Sequence, residues 1–329
     1  SDDMTTPFYI TTPIYYVNDV PHLGHAYTTI VADAFARFHR MRGDDTRFLT
    51  GTDEHGQKIE ETATKKGMTP QQLVDSVAPR FDETWKALGI SNYRFIRTTD
   101  AKHKRVVAAL WNRIAERNRE DLYVATYQGW YCVGCEAFYT ESQLVKDGDG
   151  WNCAVHKKPV NWVDKERSWF FKLSKYAKPL LAHIAANPDF IRPSAYRNEI
   201  VSFLEKEELR DLSVSRTTMS WGIPVPEEDR DRPNLKHVIY VWMDALTNYY
   251  SDLVRDDAEL DLDGPDAKKY FPEAVHLIGK DILRFHAVYW PAFLMSAGLP
   301  LPKSIFAHGW WTVRGEKISK SMPATRIDP

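Results

Sequence analysis

Two histidines separated by Leu-Gly, His22 and His25, stand where the strand-like run PFYITTPIYYV gives way to a helical pattern. A helix N-terminus presents unpaired N–H groups and partial positive charge, which favours phosphate. Imidazole N–H groups on that threshold add donors for the same anion, and Gly24 removes a side chain where a nucleotide would approach the backbone. Capping or loop histidines are the alternative, and so short a motif decides nothing alone. Near the other end, Lys317 and Lys320 lie in GEKISKS, a cationic segment led by Gly315. Taken by itself, such a cluster reads as solvated surface. With the histidine motif nearly 300 residues earlier, a chance pairing in this order is much harder to credit.

The cysteines form a third constellation. Cys132 and Cys135 are two residues apart, and after a 17-residue gap come Cys153 and His156, again two apart. This is zinc-site spacing, and four protein ligands leave no open position for water, so a structural metal is expected. Gly134 is expected to let the turn bring backbone N–H groups toward the thiolates. Unmetallated thiols are the other possibility. Three cysteines confined to 132–153 argue against a secreted disulfide framework and for a reducing, cytoplasmic compartment.

These groups need elements to position them. In helical register, Tyr27, Ile30, Val31, Ala34, Phe35 and Phe38 fall on one apolar face, and Gly43 ends the pattern. DTRFLTGTDEHG reads as a second strand running into a polar, glycine-punctuated loop, and helical segments follow to Arg119. Strand, loop, helix and strand open a parallel α/β sheet, whose ligands sit at the carboxyl ends of the strands. From about Asp121 short β-like runs and turn dipeptides take over, with all the cysteines among them. Strand–helix alternation resumes with HVIYVWMDALTNYY and EAVHLIGKDILRFHAVYWPAFLMSAG. The net charge of −2 advertises no global nucleic-acid field. AKHKRVVAALWNRIAERNR still offers six Lys/Arg against one Glu, a candidate RNA face. No apolar run reaches the roughly 18 residues of a membrane span.

His22-Leu23-Gly24-His25 resembles the HIGH signature, and Lys317 to Ser321 the KMSKS signature, of class I aminoacyl-tRNA synthetases. TPIYYVN, GTDEHGQK, WGIPVP, YVWMDALTNYY, GKDILRFH and AHGWW are similar, in order, to the methionyl-tRNA synthetases. The resemblance implies a Rossmann-like parallel sheet interrupted by a connective-peptide domain that carries the zinc knuckle. The implied boundaries are 1–118 and 211–307 for the halves of the catalytic domain, 119–210 for the insertion, and 308–329 for the KISKS loop and the start of a stem-contact region. An anticodon-reading domain is expected to lie outside this chain, which should then charge tRNA poorly while still making adenylate.

The implied reaction joins methionine to ATP as methionyl-adenylate and then passes it to tRNA(Met). The substrate carboxylate is itself the nucleophile, so the protein positions groups and stabilises charge. His22, His25, Lys317 and Lys320 would hold the phosphates, with Gly24 beside the nucleotide and Mg²⁺ arriving with ATP. Asp53 would pair with the methionine ammonium. Ile14, Tyr16, Trp242, Ala245, Tyr249, Phe285 and His286 would line the methionine pocket, where aromatic rings suit a polarizable thioether. Where relatives often place a fourth cysteine in the knuckle, this chain has His156. A small-molecule adenylyltransferase also uses an HxGH loop, and a zinc-ribbon RNA-binding module is a non-catalytic reading. Neither accounts for all three motifs.

Overall fold

The computed structural model describes residues 5–18, 20–255 and 259–309, together with the backbone of 312–313 and 316–317. Its centre is a six-stranded sheet. The first half supplies β1 (Pro7–Tyr16), α1 (Leu23–Met41), β2 (Asp45–Asp53), α2 (Gln57–Lys65), α3 (Pro70–Ala87), β3 (Arg94–Arg97) and α4 (Ala101–Arg117). A second, antiparallel region follows, with β4 (Leu122–Cys132), β5 (Ala137–Tyr139), β6 (Leu144–Asp147), β7 (Gly150–Cys153) and β8 (Asn161–Phe171). After α5 (Ala177–Ala186), β9 (Ile191–Arg192) and α6 (Ser194–Lys206), short strands β10 (Leu212–Ser213), β11 (Ser215–Arg216) and β12 (Val238–Ile239) lead into α7 (Val241–Ser251). Helix α8 (Pro265–Tyr270), β13 (Ala274–Gly279), α9 (Trp290–Ala297) and β14 (Ser304–His308) complete the central sheet and its cover.

The sheet order is β3-β2-β1-β13-β14-β9, with every neighbouring pair parallel. The chain moves outward in one direction from β1 to β3, then returns to build the other side. The switch falls between β1 and β13, and a crevice at the carboxyl ends is the expected ligand position there. Residues 191–192 join this sheet although they lie inside the span 119–210.

Both sheet faces are covered, so the strands are almost continuously apolar rather than alternating. Tyr9, Leu49, Ile96 and Ile278 pack with α4, α7 and α9. Their neighbours Phe8, Ile10, Phe48 and Leu277 pack with α1, α2 and α3. One extra residue in β1, between Thr11 and Ile14, shifts its register against β2. A bulge beside a site re-aims the side chains that follow it, here Ile14 to Tyr16.

Helix α1 turns its expected apolar face outward. Ile30, Phe35 and Phe38 are 46%, 38% and 55% exposed, whereas Ala26, Thr28, Thr29, Ala32, Asp33 and Ala36 are buried. Close approach of helix to sheet selects small residues, and the buried polar ones are satisfied. Thr29 donates to the His25 carbonyl, and Asp33 accepts from Arg37, from the Ser91 hydroxyl and from the Ser91 amide. The basic stretch on α4 is likewise occupied. Arg113 pairs with Asp263, Arg119 pairs with Glu227, and His103 is buried against Asp244. Two of the six basic side chains in this stretch are thus held by acids, and its histidine faces the core.

The antiparallel sheet has the order β10-β8-β4-β5, with a bulge between Tyr127 and Gly129 along the long β4/β8 ladder. Its root is fixed by Asp121, fully buried, whose carboxylate accepts from Tyr176, from Ser296 at 2.6 Å and from Lys175 at 3.0 Å. Removing this acceptor leaves the buried hydroxyls of Tyr176 and Ser296 without their partner, whereas Lys175 keeps Glu120. Asp121→Ala should therefore destabilise the chain by about 1–3 kcal/mol. Urea denaturation would show this as a lower midpoint, and an unchanged midpoint would refute the role given to Asp121.

Candidate active site

The carboxyl ends of β1, β2, β13 and β14 converge on one edge, bringing Tyr16, Asp53, Gly279 and His308 to the same side of the sheet. His22 is the N-cap of α1. Its Nδ1 accepts from the Gly24 amide at 3.0 Å, and the His22 amide donates to His25 Nδ1 at 3.3 Å. The two rings stack with centroids 3.8 Å apart. The capping alternative is thus real, and it has a chemical consequence. With each Nδ1 accepting, both neutral rings carry their proton on Nε2, the donor form required toward an anion. No acidic residue lies in the first turn of α1 to oppose one. Gly24 has a nearer reason than nucleotide approach, because a Cβ there would meet His22 Cε1 at 2.9 Å.

Asp53 ends β2. Its Oδ1 is buried and has no hydrogen-bond partner among the described residues. Burial, then the negative charges of Asp244, Glu136 and Glu54, push its carboxyl well above the usual carboxylate range. Its neighbours in the loop are all satisfied. Glu54 accepts from Arg97, Thr52 and Thr99. Asp244 of α7 is hydrogen-bonded to His55 Nδ1 and His103 Nε2, each at 2.7 Å. Burial opposes ionisation of Asp244, but the imidazoles, His55 first, outweigh it and hold the carboxyl below its ordinary value. Trp221 donates to the Glu54 carbonyl at 2.6 Å, and the Gly56 amide donates to the Trp221 carbonyl at 3.1 Å.

Next to this loop lies an aromatic group. Trp242 and Phe285 stack at 3.9 Å, almost parallel, and Trp242 meets His286 edge-on. Phe285 and His286 sit on a π-helical turn, Phe285–Tyr289, a widening often found at functional sites. His286 Nδ1 faces the Ile282 carbonyl at 2.9 Å, so it donates there and leaves Nε2 to accept from the Tyr249 hydroxyl at 2.7 Å. Burial lowers His286 to about 4, which keeps the ring neutral at ordinary pH. Tyr249 also stacks on His276, whose Nε2 accepts from Trp290. Ile14 and Trp242 pack half-buried against the same core, with Ala245 inside it. Nearly the whole of α7 is buried, so its helical stripe alone could not separate pocket from core. Tyr16 lies opposite Asp53 in the β1–β2 pairing, and burial, then the charges of Glu136 and Asp53, raise its hydroxyl well above the usual value.

Of the basic motif, Lys317 has its backbone in a two-residue ribbon opposite Thr312. Its side chain, Lys320 and Ser321 lie outside the described residues. Several residues that matter here were not singled out from the sequence: His55, His103, Glu136, Arg216 and Asp244. Asp244 had one visible sign, being the lone charge in the apolar run Val241 to Tyr250.

Cys132, Cys135, Cys153 and His156 come together, their ligand atoms all within 4.8 Å of one another. Cys135 Sγ lies 3.5 Å from Cys153 Sγ and 3.2 Å from His156 Nδ1. Tetrahedral zinc with Zn–S of about 2.3 Å gives edges of about 3.8 Å, so the donor set fits a metal ion closely. The amides of Cys135 and His156 each point at the sulfur three residues back, at 3.4 Å. Gly134 is needed for the imidazole, since a Cβ there would meet three atoms of the His156 ring at 2.9 Å.

Among the described residues no helix is long and apolar enough to cross a membrane. The family model described as tRNA synthetases class I (M) matches residues 8–327. A methionine–tRNA ligase of Rickettsia conorii is 53% identical over 326 residues, 99% of this chain and 60% of that protein. One from Thermotoga maritima is 50% identical, over 98% of this chain and 49% of the relative. The chain therefore spans about 60% or less of the curated relatives' length. A Mycobacterium tuberculosis methionyl-tRNA synthetase in complex with methionyl-adenylate superposes with a TM-score of 0.89 at 47% identity, covering 99% of this chain and 61% of that one. The apo form of the enzyme from that organism superposes at 0.77 with 45% identity, covering 94% and 57%. The motifs, the parallel strand order that switches between β1 and β13, and the match along almost the whole sequence agree: the chain belongs to the class I tRNA synthetases of the methionyl group.

Proposed function

We propose that this chain activates methionine with ATP and supplies the methionyl-adenylate for charging tRNA(Met). The observation that carries this reading is Asp53, a carboxylate oxygen buried without a partner beside an aromatic group. A buried carboxyl of this kind ionises only against a cation, and the methionine ammonium provides one while the thioether lies among Trp242, Tyr249, Phe285 and His286. Ile14, Tyr16 and Ala245 complete the pocket. One methionine carboxylate oxygen then bonds to the α-phosphorus as the bond to pyrophosphate breaks, so no protein nucleophile is consumed. The adenylate later yields its acyl group to a tRNA 3′-terminal hydroxyl, releasing AMP.

In this reading His22 and His25 direct Nε2–H donors at the phosphates, with Gly24 between them and Lys317 and Lys320 on the opposite side. Magnesium accompanies the ATP and neutralises phosphate charge. Zinc is held by Cys132, Cys135, Cys153 and His156 and serves the fold rather than the reaction. Residues 1–118 and 211–307 form the catalytic halves, 119–210 the connective insertion, and 308–329 the KISKS loop with the start of the stem-contact region. The compartment proposed is the cytoplasm. Methionine-dependent exchange of pyrophosphate into ATP tests the whole reading, and its absence would overturn it.

The ammonium needs ionised Asp53, while its surroundings favour the protonated form. Methionine uptake should therefore release protons, and affinity should fall as pH drops through the raised Asp53 value. Calorimetry in buffers of different ionisation enthalpy reads this directly. Asp53→Asn should abolish methionine binding yet leave the stability of the free protein at neutral pH within about 1 kcal/mol of the parent, because a neutral amide replaces a protonated carboxyl. A larger loss of stability would contradict the account of Asp53.

The histidines have two functions that substitution can separate. His22→Ala should lower adenylate formation about 10²-fold and also cost about 1 kcal/mol through loss of the cap. Asn caps well, so His22→Asn should restore stability while leaving the rate low. Recovery of the rate as well would reduce His22 to a cap. For the metal, elemental analysis should find about one zinc per chain, since four ligands close one tetrahedral site. A folded chain without zinc would refute this assignment.

A further inference from the structure

Helix α2 begins immediately after the Asp53 loop, and its N-cap residue, Gly56, offers no side-chain cap. The cap comes from elsewhere in the chain. Glu136 Oε1 accepts from the Gln57 amide at 2.8 Å, from a side chain that is only 5% exposed. Gly56 has φ of +119°, and a methyl group there would overlap the Glu136 carboxylate. Glu136 is itself held in the left-handed region, at φ 51°, and its carbonyl accepts from Arg216 at 3.1 Å. In the sequence it directly follows Cys135. One residue of the antiparallel region thus joins the cysteine–histidine cluster to the first turn of the helix that bounds the Asp53 loop.

We propose that Glu136 is a positioning residue for methionine: by capping α2 from the metal knuckle, it makes the placement of Asp53 depend on an ordered knuckle. This rests on the reading of Asp53 as the ammonium site. The loop from Thr52 to Gly56 is anchored at one end by β2 and at the other by α2. His55 and Glu54 fix it from the side of the catalytic sheet, through Asp244 and Arg97. The Glu136 bond is the anchor that reaches it from the antiparallel region. When the knuckle loosens, Cys135 no longer holds Glu136, the first turn of α2 frays, and the carboxylate that meets the ammonium loses its fixed position. The α1 histidines belong to a different loop and keep their geometry, so methionine affinity suffers before the chemical step does.

The test uses the zinc-loaded chain, methionine binding by equilibrium dialysis, pyrophosphate exchange and hydrogen exchange of the Gln57 amide. Glu136→Ala should weaken methionine binding about 10-fold, the equivalent of a lost helix cap. It should also unprotect the Gln57 amide, yet leave metal content, the KM for ATP and the rate at saturating methionine unchanged. Glu136→Gln keeps the acceptor and should recover most of the affinity. Gly56→Ala should weaken binding at least as much as Glu136→Ala, because it displaces the carboxylate and also strains a backbone at φ +119°, and the double substitution should be no worse than Gly56→Ala alone. Removing the metal by chelation should likewise weaken methionine binding and unprotect Gln57. Wild-type affinity in Glu136→Ala, or a Glu136→Gln variant as weak as the alanine one, would overturn the proposal. The Asp53→Asn variant separates the two levels. If it binds methionine normally, the ammonium reading fails; if it does not, while Glu136→Ala does, only the coupling fails.

Discussion

A carboxylate oxygen can stay buried and unpaired only where the surrounding structure leaves it no way to relax. Asp53 is in that position, and much of the molecule is arranged around it. The next residue, Glu54, is locked by Arg97 and two threonines. His55 is tied to Asp244, which is tied in turn to His103 and through it to Ser251. The indole of Trp221 closes the loop from above. Each neighbour has its polar groups satisfied, so the unsatisfied one cannot borrow a partner. The cost of that arrangement falls on the free protein, and a cationic ligand relieves it.

The parallel sheet, the helix start at the histidine pair and the clustering of three cysteines with His156 were legible because each is local. Strand runs buried on both faces read as apolar, and the knuckle is a matter of spacing. What was illegible depends on long-range partners. Periodicity assigned α1 the wrong face, because the residues that pack on the sheet are alanines, threonines and an aspartate selected for size, not hydropathy. His103 read as part of a basic helix and instead completes a buried pair with an aspartate 141 positions away. Glu136 gave no sign of capping a helix 79 positions earlier. Gly24 and Gly134 also make room for an imidazole each, a need that shows only once the partner ring is placed.

The histidines at the start of α1 show how a helix end and a reactive surface share atoms. Each ring spends Nδ1 on the backbone, which orients it and fixes its tautomer with the proton on Nε2. A lysine at the same place could donate but could not cap, and an asparagine could cap without placing a ring N–H beyond the helix. The stacked pair is therefore rigid in a way that loop side chains rarely are. Such preorganisation is what electrostatic catalysis demands of its donors.

The contact between Gly134 and the His156 ring has a consequence for how this sequence can vary. The ring occupies the space a side chain at 134 would fill, so the two positions are a linked pair. While an imidazole is the fourth donor, residue 134 has no freedom. A compact thiol at 156 would vacate that space and release 134 to carry a side chain. Substitution in the opposite order, a larger residue at 134 first, would expel the ring and with it the fourth donor. Exchange of ligand type in this knuckle therefore has a permitted direction, in which the ligand changes before its neighbour.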